Sequence, residues 1–297
     1  MSIALQVALV MVTILVVLLV IGAPIGVAIG MSSAVSMICM IPADVSFATS
    51  AQRIFAGSNS FSLIAIPFFI LAGNIMNNGG IATRLVNCAK VISGRMPGAL
   101  AQSNVVANML FGAISGSGAA AAAAMGGTIG PLEEKEGYDK NYSTAVNVAS
   151  APVGMLIPPS NTMIVYSSVA GSVSIAALFM AGYIPGLLWG GAVMILAGIM
   201  AKKRGYQAEQ RVPVKVALKT FWQAIPSLLL IVIVIGGILG GIFTATEGSA
   251  IAVVYATVLS LIYKAFKIKD IPRIVLEAAK TTGIITFMIG LSSIMSW

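Results

Sequence analysis

Two stretches decide the fold of this chain: QSNVVANMLFGAISGSGAAAAAAMGGT at residues 102–128 and SAPVGMLIPPSNT at residues 150–162. Each is apolar enough to lie at membrane depth, yet each is interrupted by hydroxyl, glycine or proline residues. An unsatisfied backbone group in hydrocarbon costs several kcal/mol, so irregular backbone is tolerated there only inside protein or along a cavity. Two such interruptions predict a transporter that holds ions and substrate with discontinuous helices.

The composition is that of a membrane protein. Of the 297 residues, 58% are hydrophobic and only 9% are charged, whereas soluble domains carry about 25% charged residues. The net charge of +8 is concentrated between apolar runs, and the absence of a basic face with interleaved aromatics argues against nucleic-acid binding. Cys39 and Cys88 lie far apart without a CxxC motif, and histidine is absent. The sequence therefore predicts no metal centre, redox chemistry or cofactor.

A membrane crossing takes about 20 apolar residues. On that basis we predict spans at 3–21, 25–41, 60–77, 143–171, 174–200, 222–240, 242–263 and 282–297. We expect the span at 143–171 to break near Pro158 and Pro159. Residues 97–130 instead contain two shorter apolar limbs around Ser115-Gly116-Ser117-Gly118, which predicts a re-entrant hairpin.

Three further segments are amphipathic rather than uniformly apolar: 42–58, 79–93 and 264–280. Amphipathic helices of this kind lie along the membrane interface. The alternative is that they are ordinary connecting loops.

Lysine and arginine indicate the orientation, because cytoplasmic loops carry an excess of both. They form three groups: Arg84, Lys90 and Arg95; Lys202, Lys203, Arg204, Arg211, Lys215 and Lys219; and Lys264, Lys267, Lys269 and Arg273. Two predicted spans separate each group from the next, so all three groups can lie in the cytoplasm. The mouth of the hairpin then faces the cytoplasm and the loop 42–58 lies outside.

The order of the segments indicates an inverted repeat. A shift of about 221 residues places 3–21 on 222–240, 25–41 on 242–263, and 60–77 on 282–297, with opposite orientation in the membrane. We therefore predict a first repeat at 1–200, a basic cytoplasmic linker at 201–221, and an incomplete second repeat at 222–297. By this symmetry about a hundred further residues are expected beyond Trp297.

Several motifs resemble the large membrane subunit of TRAP transporters, the tripartite ATP-independent periplasmic family. In chain order they are GAPIGVAIG at 22–30, IPFFILAGNIMNNGG at 66–80, PGALAQSNVVANMLFGAISGSGAA at 97–120, APVGMLIPPSN at 151–161 and FTATEGSAIAVVYA at 243–256. The resemblance implies an all-α polytopic protein of the inner membrane with an elevator-type transport core. It also implies sodium-driven import of an organic anion, a carboxylate or acidic sugar, with a small membrane subunit and a periplasmic binding protein as partners.

The two breaks are where ions and substrate are expected to bind. Sodium prefers oxygen ligands, and unwound carbonyls and helix carboxyl ends supply them. We predict a sodium site formed by Asn108, Ser115, Gly116, Ser117, Ile157 and Pro158. The next half-helix begins with Ser160, Asn161 and Thr162, and its amino end favours anions. These residues and Ser117 are the predicted substrate ligands, and the breaks are expected to face each other across a water-filled chamber.

Structural explanations remain open for each of these residues. Ser115-Gly116-Ser117 can be a packing contact between helices, Pro158-Pro159 a simple kink, and Asn108 a partner of neighbouring polar groups. Glu247 is the single acid in its predicted span, so an ion or proton role is one hypothesis. Capping of a helix start beside Thr244 is another.

One position departs from the family pattern. Many relatives carry an acid where this chain has Ala121. The hypothesis is that an ion site in this chain relies on neutral oxygens.

Three alternatives differ in class from the leading interpretation or in its partners. One is a sodium/dicarboxylate symporter that needs no binding protein. The second is an intramembrane enzyme, which the lack of histidine and of lysine within the predicted spans disfavours. The third is a scaffold that does not transport.

Overall fold

A computed structural model describes residues 3–171, 173–206 and 213–296, and within these ranges it contains helices and no strand. The α-helices are α1 (Ile3–Val20), α2 (Ile25–Ile38), α3 (Ala43–Ser58), α4 (Ala65–Asn78), α5 (Ile81–Ser93), α6 (Ala99–Ser115), α7 (Gly118–Thr128), α8 (Gly130–Lys135), α9 (Lys140–Ser150), α10 (Val153–Leu156), α11 (Asn161–Ala170), α12 (Ile175–Arg204), α13 (Val214–Leu239), α14 (Ala245–Ile262) and α15 (Ile271–Met295). The predicted all-α class is confirmed.

The helices that could cross a membrane agree with most of the predicted spans. Five described helices are long and apolar enough: Phe61–Asn78, Ile175–Arg204, Val214–Leu239, Ala245–Ile262 and Ile271–Met295. The pair Lys140–Leu156 and Asn161–Ala170 is bent by 48° and makes a sixth span if counted as one. This bend is the predicted break in 143–171.

The helices differ from the predicted segments in two places. Helix α2 has 14 residues and so reaches about 21 Å, which is short of a hydrocarbon core of about 30 Å. Segment 264–280 is not a separate interfacial helix, because α15 begins at Ile271 and runs without interruption to Met295. The basic stretch 201–221 is largely helical at its two ends, and its middle, 207–212, lies outside the described residues.

The chain divides into two compact units. In the first unit, α1 packs on α2 and α2 on α3, and the part of α15 from Ala279 onward completes it. Met37, Leu291 and Ile294 form its buried apolar cluster. Gly30 permits close packing there, since a Cβ at this position would lie 2.5 Å from Leu291 Cδ2.

The second unit runs from Ile64 to Ala278 and is built around α6. This helix contacts α4, α5, α7, α8, α9, α10, α12 and α13, and 14 of its 17 residues are buried. No charged residue occurs in α6, and a helix that is apolar on all sides is buried within protein. Some of its polar side chains bond to neighbouring helices, as when Gln102 Nε2 donates to the Met194 carbonyl of α12 at 2.8 Å.

Candidate ion site where helix ends meet

The two predicted breaks lie in direct contact. The backbone N–H of Asn161 donates to the Gly116 carbonyl at 3.2 Å, and Asn161 Nδ2 donates to the Ser115 carbonyl at 3.4 Å. The break between α6 and α7 is therefore joined to the break before α11 through one residue. The structure brings together Ser115, Gly116 and Asn161, three of the residues that the sequence predicted as ligands.

Four helix ends converge at this contact. Helices α6 and α10 end here, at Ser115 and Leu156, while α7 and α11 begin here, at Gly118 and Asn161. A carboxyl end presents unpaired carbonyl groups and the negative end of the helix dipole, and an amino end presents N–H groups and the positive end. The junction can therefore accommodate a cation at the carboxyl ends of α6 and α10 and an anion at the amino ends of α7 and α11.

Glycine makes the close approach of the breaks possible. Gly116 has φ +62°, and a Cβ there would lie 2.9 Å from the Pro159 carbonyl oxygen and 3.0 Å from the Asn161 nitrogen. A Cβ on Gly154 of α10 would lie 2.6 Å from Gly112 Cα of α6. Small residues let helix backbones approach in this way within a membrane. Sequence analysis did not identify the Gly112–Gly154 contact, because the two glycines are far apart in the chain.

One oxygen at the contact has no partner. Asn161 Oδ1 is buried and makes no hydrogen bond within the described residues, although buried polar atoms are nearly always paired. The Gly116 carbonyl oxygen accepts from the Asn161 N–H, and the Pro159 carbonyl oxygen lies close to Gly116. This is a set of neutral oxygens of the kind that a hard cation prefers.

The serines at the two breaks cap the helices that follow them. Ser117 Oγ accepts from the Ala120 N–H at 3.3 Å, and Ser160 Oγ accepts from the Met163 N–H at 3.4 Å. The Ser160 hydroxyl also donates to the Met155 carbonyl at 2.6 Å. Ser160 is buried and its hydroxyl group is already bonded, whereas Ser117 is partly exposed. Ser117 is therefore better placed than Ser160 to contact a substrate.

Ile157 and Pro158 are buried where the backbone leaves α10, and the peptide bond between Pro158 and Pro159 is cis. A Cβ on Gly186 of α12 would lie 2.6 Å from Ile157 Cγ1, so α12 packs tightly against this bend. Thr162 is exposed and borders a different space, an apolar cavity of about 350 Å³ lined by Pro152, Met155, Leu156, Met163, Tyr166, Leu178 and Trp189.

The predicted water-filled chamber between the breaks stays a prediction, and the breaks touch at Gly116 and Asn161. The space that Ile114 and Pro159 share measures about 10 Å³, which is about the smallest volume that holds a single water molecule. The breaks are packed together, because the glycines let the two backbones touch.

Asn108 belongs to a polar cluster and not to the break. Its Nδ2 lies 2.8 Å from Asn104 Oδ1, 3.0 Å from Asn147 Oδ1 and 2.8 Å from Ser150 Oγ. Asn108 is seven residues before Ser115, which places it about 10 Å away along the helix axis. Asn108 and Ser115 therefore cannot hold the same ion in this conformation.

Glu247 and Ala121 both have structural surroundings. Glu247 forms a capping box with Thr244 at the start of α14: its Oε2 accepts from the Thr244 N–H at 2.7 Å and from Thr244 Oγ1 at 2.9 Å. Ala121 is fully buried in the apolar cluster around α6, and its Cβ would lie 3.8 Å from a Cβ on Gly154.

The foot of the hairpin lies beside the basic end of α12. Asp139 pairs with Arg204 at 3.1 Å, the Gly98 N–H donates to the Tyr206 carbonyl at 3.3 Å, and the Tyr142 hydroxyl donates to the Ala197 carbonyl at 2.8 Å. The hairpin foot and Lys202, Lys203 and Arg204 are thus at one end of this unit. This agrees with the prediction that both face the same side of the membrane.

Comparison with known proteins gives the family. The model of the tripartite ATP-independent periplasmic transporter, DctM component, matches residues 12–297. This chain belongs to the DctM family. Family members are transport permeases of the inner membrane and not enzymes, which removes the intramembrane-enzyme alternative.

Individual relatives agree with this membership. The chain is 50% identical over 266 residues to a Salmonella typhimurium protein named "Uncharacterized protein YgiK", covering 90% of this chain and 61% of that protein. It is 37% identical to the C4-dicarboxylate TRAP transporter large permease protein of Rhodobacter capsulatus, covering 81% of this chain and 58% of the relative. It is also 37% identical to the sialic acid TRAP transporter large permease protein of Vibrio cholerae, covering 84% and 58%. The chain thus spans about 60% of the length of these relatives.

Proposed function

We propose that this DctM-family chain forms part of a sodium-coupled importer of an organic anion and that the junction of the four helix ends holds a sodium ion. The observation that carries the proposal is the buried, unpartnered Asn161 Oδ1 on the residue whose backbone N–H joins the two breaks through the Gly116 carbonyl. A cation at this point would satisfy that oxygen without an acidic side chain, in keeping with Ala121.

The anionic substrate is proposed from charge and from the relatives. Amino ends of half-helices attract anions, and Ser117 and Thr162 lie at such ends with part of their surface free. Relatives are named for C4-dicarboxylates, sialic acid, isethionate and 2,3-diketo-L-gulonate, all of which are organic acids. A small membrane subunit and a periplasmic binding protein are the proposed partners, and an elevator-like movement of the hairpin is the proposed means of exposing the site to each side.

Uptake by the complete transporter in proteoliposomes tests the sodium site. An inward sodium gradient should drive uptake and a matched potassium gradient should not. Asn161→Ala should raise the sodium concentration for half-maximal uptake by about tenfold, the effect of about 1.4 kcal/mol. Asn141→Ala is the matched control, because Asn141 is exposed at the start of α9, and it should leave the sodium dependence unchanged.

Two results would count against the proposal. Equal uptake under sodium and potassium gradients would show that uptake is not coupled to sodium. An unaltered sodium dependence in Asn161→Ala would show that the sodium ion does not bind at this junction. Omitting the binding protein distinguishes the tripartite importer from a symporter that works without one, since only the latter retains uptake.

A further inference from the structure

Glu133, in α8 at the foot of the hairpin, is a buried acid that neither the ion site nor the substrate site uses. Only 1% of its surface is exposed, and neither carboxylate oxygen has a hydrogen-bond partner in the described structure. Two neighbouring polar atoms, Asn104 Nδ2 and Ser143 Oγ, are also buried without partners. An isolated buried carboxylate is costly, and such a group takes up a proton in preference to remaining charged.

Among the residues that the structure describes, no cation pairs with this carboxylate. The helices that pack against α8 are α6, α7 and α9, and α6 and α7 contain no charged residue. On α9 the charged residue is Lys140, which is exposed and borders the same cavity without an ion pair to Glu133 in the described structure. The other titratable groups nearby are Tyr142 on α9, Tyr138 in the preceding loop, and the exposed Glu134, Lys135, Glu136 and Asp139.

A cavity of about 340 Å³ gives this carboxyl group a route to water. It is lined by Asn104, Gly126, Gly130, Pro131, Glu133, Glu134, Tyr138, Lys140, Ser143, Thr144 and Asn147. The foot of the hairpin lies beside Arg204 at the basic end of α12, on the side that the positive-inside rule assigns to the cytoplasm. A proton can therefore reach Glu133 from that side.

The neighbours of Glu133 favour a proton over a metal ion. Asn104 Oδ1 already accepts from Asn108 Nδ2 at 2.8 Å, so its amide N–H groups are left to face the carboxyl group. An N–H donor beside the oxygens suits a carboxyl group and repels a cation. The Ser143 hydroxyl and the Asn104 amide are donors that favour the charged form of the carboxyl group, so they moderate the effect of burial and do not oppose release of the proton.

We propose that Glu133 is a proton-binding group: its burial beside Ser143 and Asn104 keeps the carboxyl group protonated while the foot of the hairpin is closed, and the proton is released when the foot opens to water. In the closed conformation, burial raises the pKa of Glu133 to about 7, with the Ser143 hydroxyl and the Asn104 amide acting in the opposite direction. In an open, hydrated foot the pKa returns toward 4.5, the ordinary value for glutamate. By linkage, opening is favoured as the pH rises from about 4.5 to about 7, because the open state then binds fewer protons.

Infrared difference spectroscopy of the purified full-length chain in lipid tests this site directly and needs no transport substrate. The C=O stretching band of a protonated carboxyl group should disappear with a midpoint near pH 7. The band should be absent in Glu133→Gln and unchanged in Glu134→Gln, a matched control because Glu134 is the exposed neighbour on the same helix. Ser143→Ala should move the midpoint to higher pH, since the Ser143 hydroxyl lowers the pKa of Glu133, and this keeps the test valid if Glu133→Gln does not fold.

Three results would overturn the proposal. The first is a midpoint near 4.5, the ordinary value for glutamate. The second is a band that persists in Glu133→Gln. The third is a midpoint that depends on the sodium concentration, which would make a metal ion and not a proton the occupant. Because the test reads the carboxyl group itself, its outcome is independent of sodium-driven uptake and of Asn161.

Discussion

Gly116 is the residue on which the contact between the two breaks depends. It adopts φ +62°, where an L-residue costs about 1–2 kcal/mol, and it leaves no room for a Cβ between Pro159 and Asn161. Gly116→Ala should therefore lower the thermal stability and weaken sodium-dependent uptake together. Differential scanning fluorimetry and uptake assays on the same preparation measure both effects.

Gly127→Ala is the control for that substitution. Gly127 lies in α7, near the other end of the same half-helix, and a Cβ there meets nothing within 4 Å. Alanine is the better helix former by about 1 kcal/mol, so this variant should be as stable as the wild type or more so. Equal stability and uptake in both alanine variants would show that the breaks do not depend on close contact at Gly116.

There is a physical reason why some site residues could be predicted from the sequence and Glu133 could not. Ser115, Gly116, Pro158 and Pro159 mark breaks because glycine and proline interrupt a helix through local chemistry, which a sequence displays. Glu133 was missed because it belongs to an acidic run that resembles a solvated hairpin mouth. Its signal was its position four residues after Ile129, the fully buried residue that precedes α8, since residues at this spacing lie on the same side of a helix.

At the scale of the helix, the question for Glu247 is whether this acid in a membrane span binds an ion or proton, or only caps α14. Its carboxylate closes the first turn of α14 through Thr244, and loss of such a cap costs about 1 kcal/mol. Thr244→Ala should reduce stability by about that amount, whereas Thr257→Ala in the middle of α14 should have little effect, because its hydroxyl donates only to the Val253 carbonyl within the helix. Unfolding in detergent measures both changes.

Glu247→Gln separates the two roles of that side chain. An amide oxygen can still accept from the Thr244 N–H, so a purely structural Glu247 predicts an unchanged sodium concentration for half-maximal uptake. A large shift in that concentration without a loss of stability would instead identify Glu247 as an ion ligand.

Helix boundaries were predictable where a capping residue or a break marks them and not elsewhere. Helix α9 begins after Asp139 and α12 after Ser174, and both side chains accept from N–H groups of the first turn. Segment 264–280 was misjudged because its lysine and arginine residues flank apolar ones, a pattern that an interfacial helix shares with the first turns of α15. Pro272 lies in the first turn of α15, where a proline removes no helical hydrogen bond.

At the scale of the molecule, the inverted repeat stays a prediction, and it can be compared with the packing within each unit. In the second unit α4 packs on α14, with Phe69 and Ala252 lining one small cavity. A shift of about 221 residues turns this pair into Met31 and Gly290, each one residue from the contacting Gly30 and Leu291 of the first unit. The predicted shift therefore relates the contact between α4 and α14 to the contact between α2 and α15. The two copies differ in one respect: α3 and α4 are separate helices, whereas the corresponding segments in the second copy form the single helix α15.

The predicted membrane topology can be tested on the second unit with single cysteines. The basic end of α12 and the turn after α14 should face the cytoplasm, and the turn between α13 and α14 should face the opposite side. In a background carrying Cys39→Ser and Cys88→Ser, a membrane-impermeant maleimide applied to intact cells should label Ile242→Cys, whose side chain is exposed in that turn. It should label Lys203→Cys and Lys267→Cys only after the membrane is opened, because both lie in the basic groups. Labelling of either lysine position in intact cells, or protection of Ile242→Cys, would contradict the orientation and place the hairpin foot and Glu133 outside the cytoplasm.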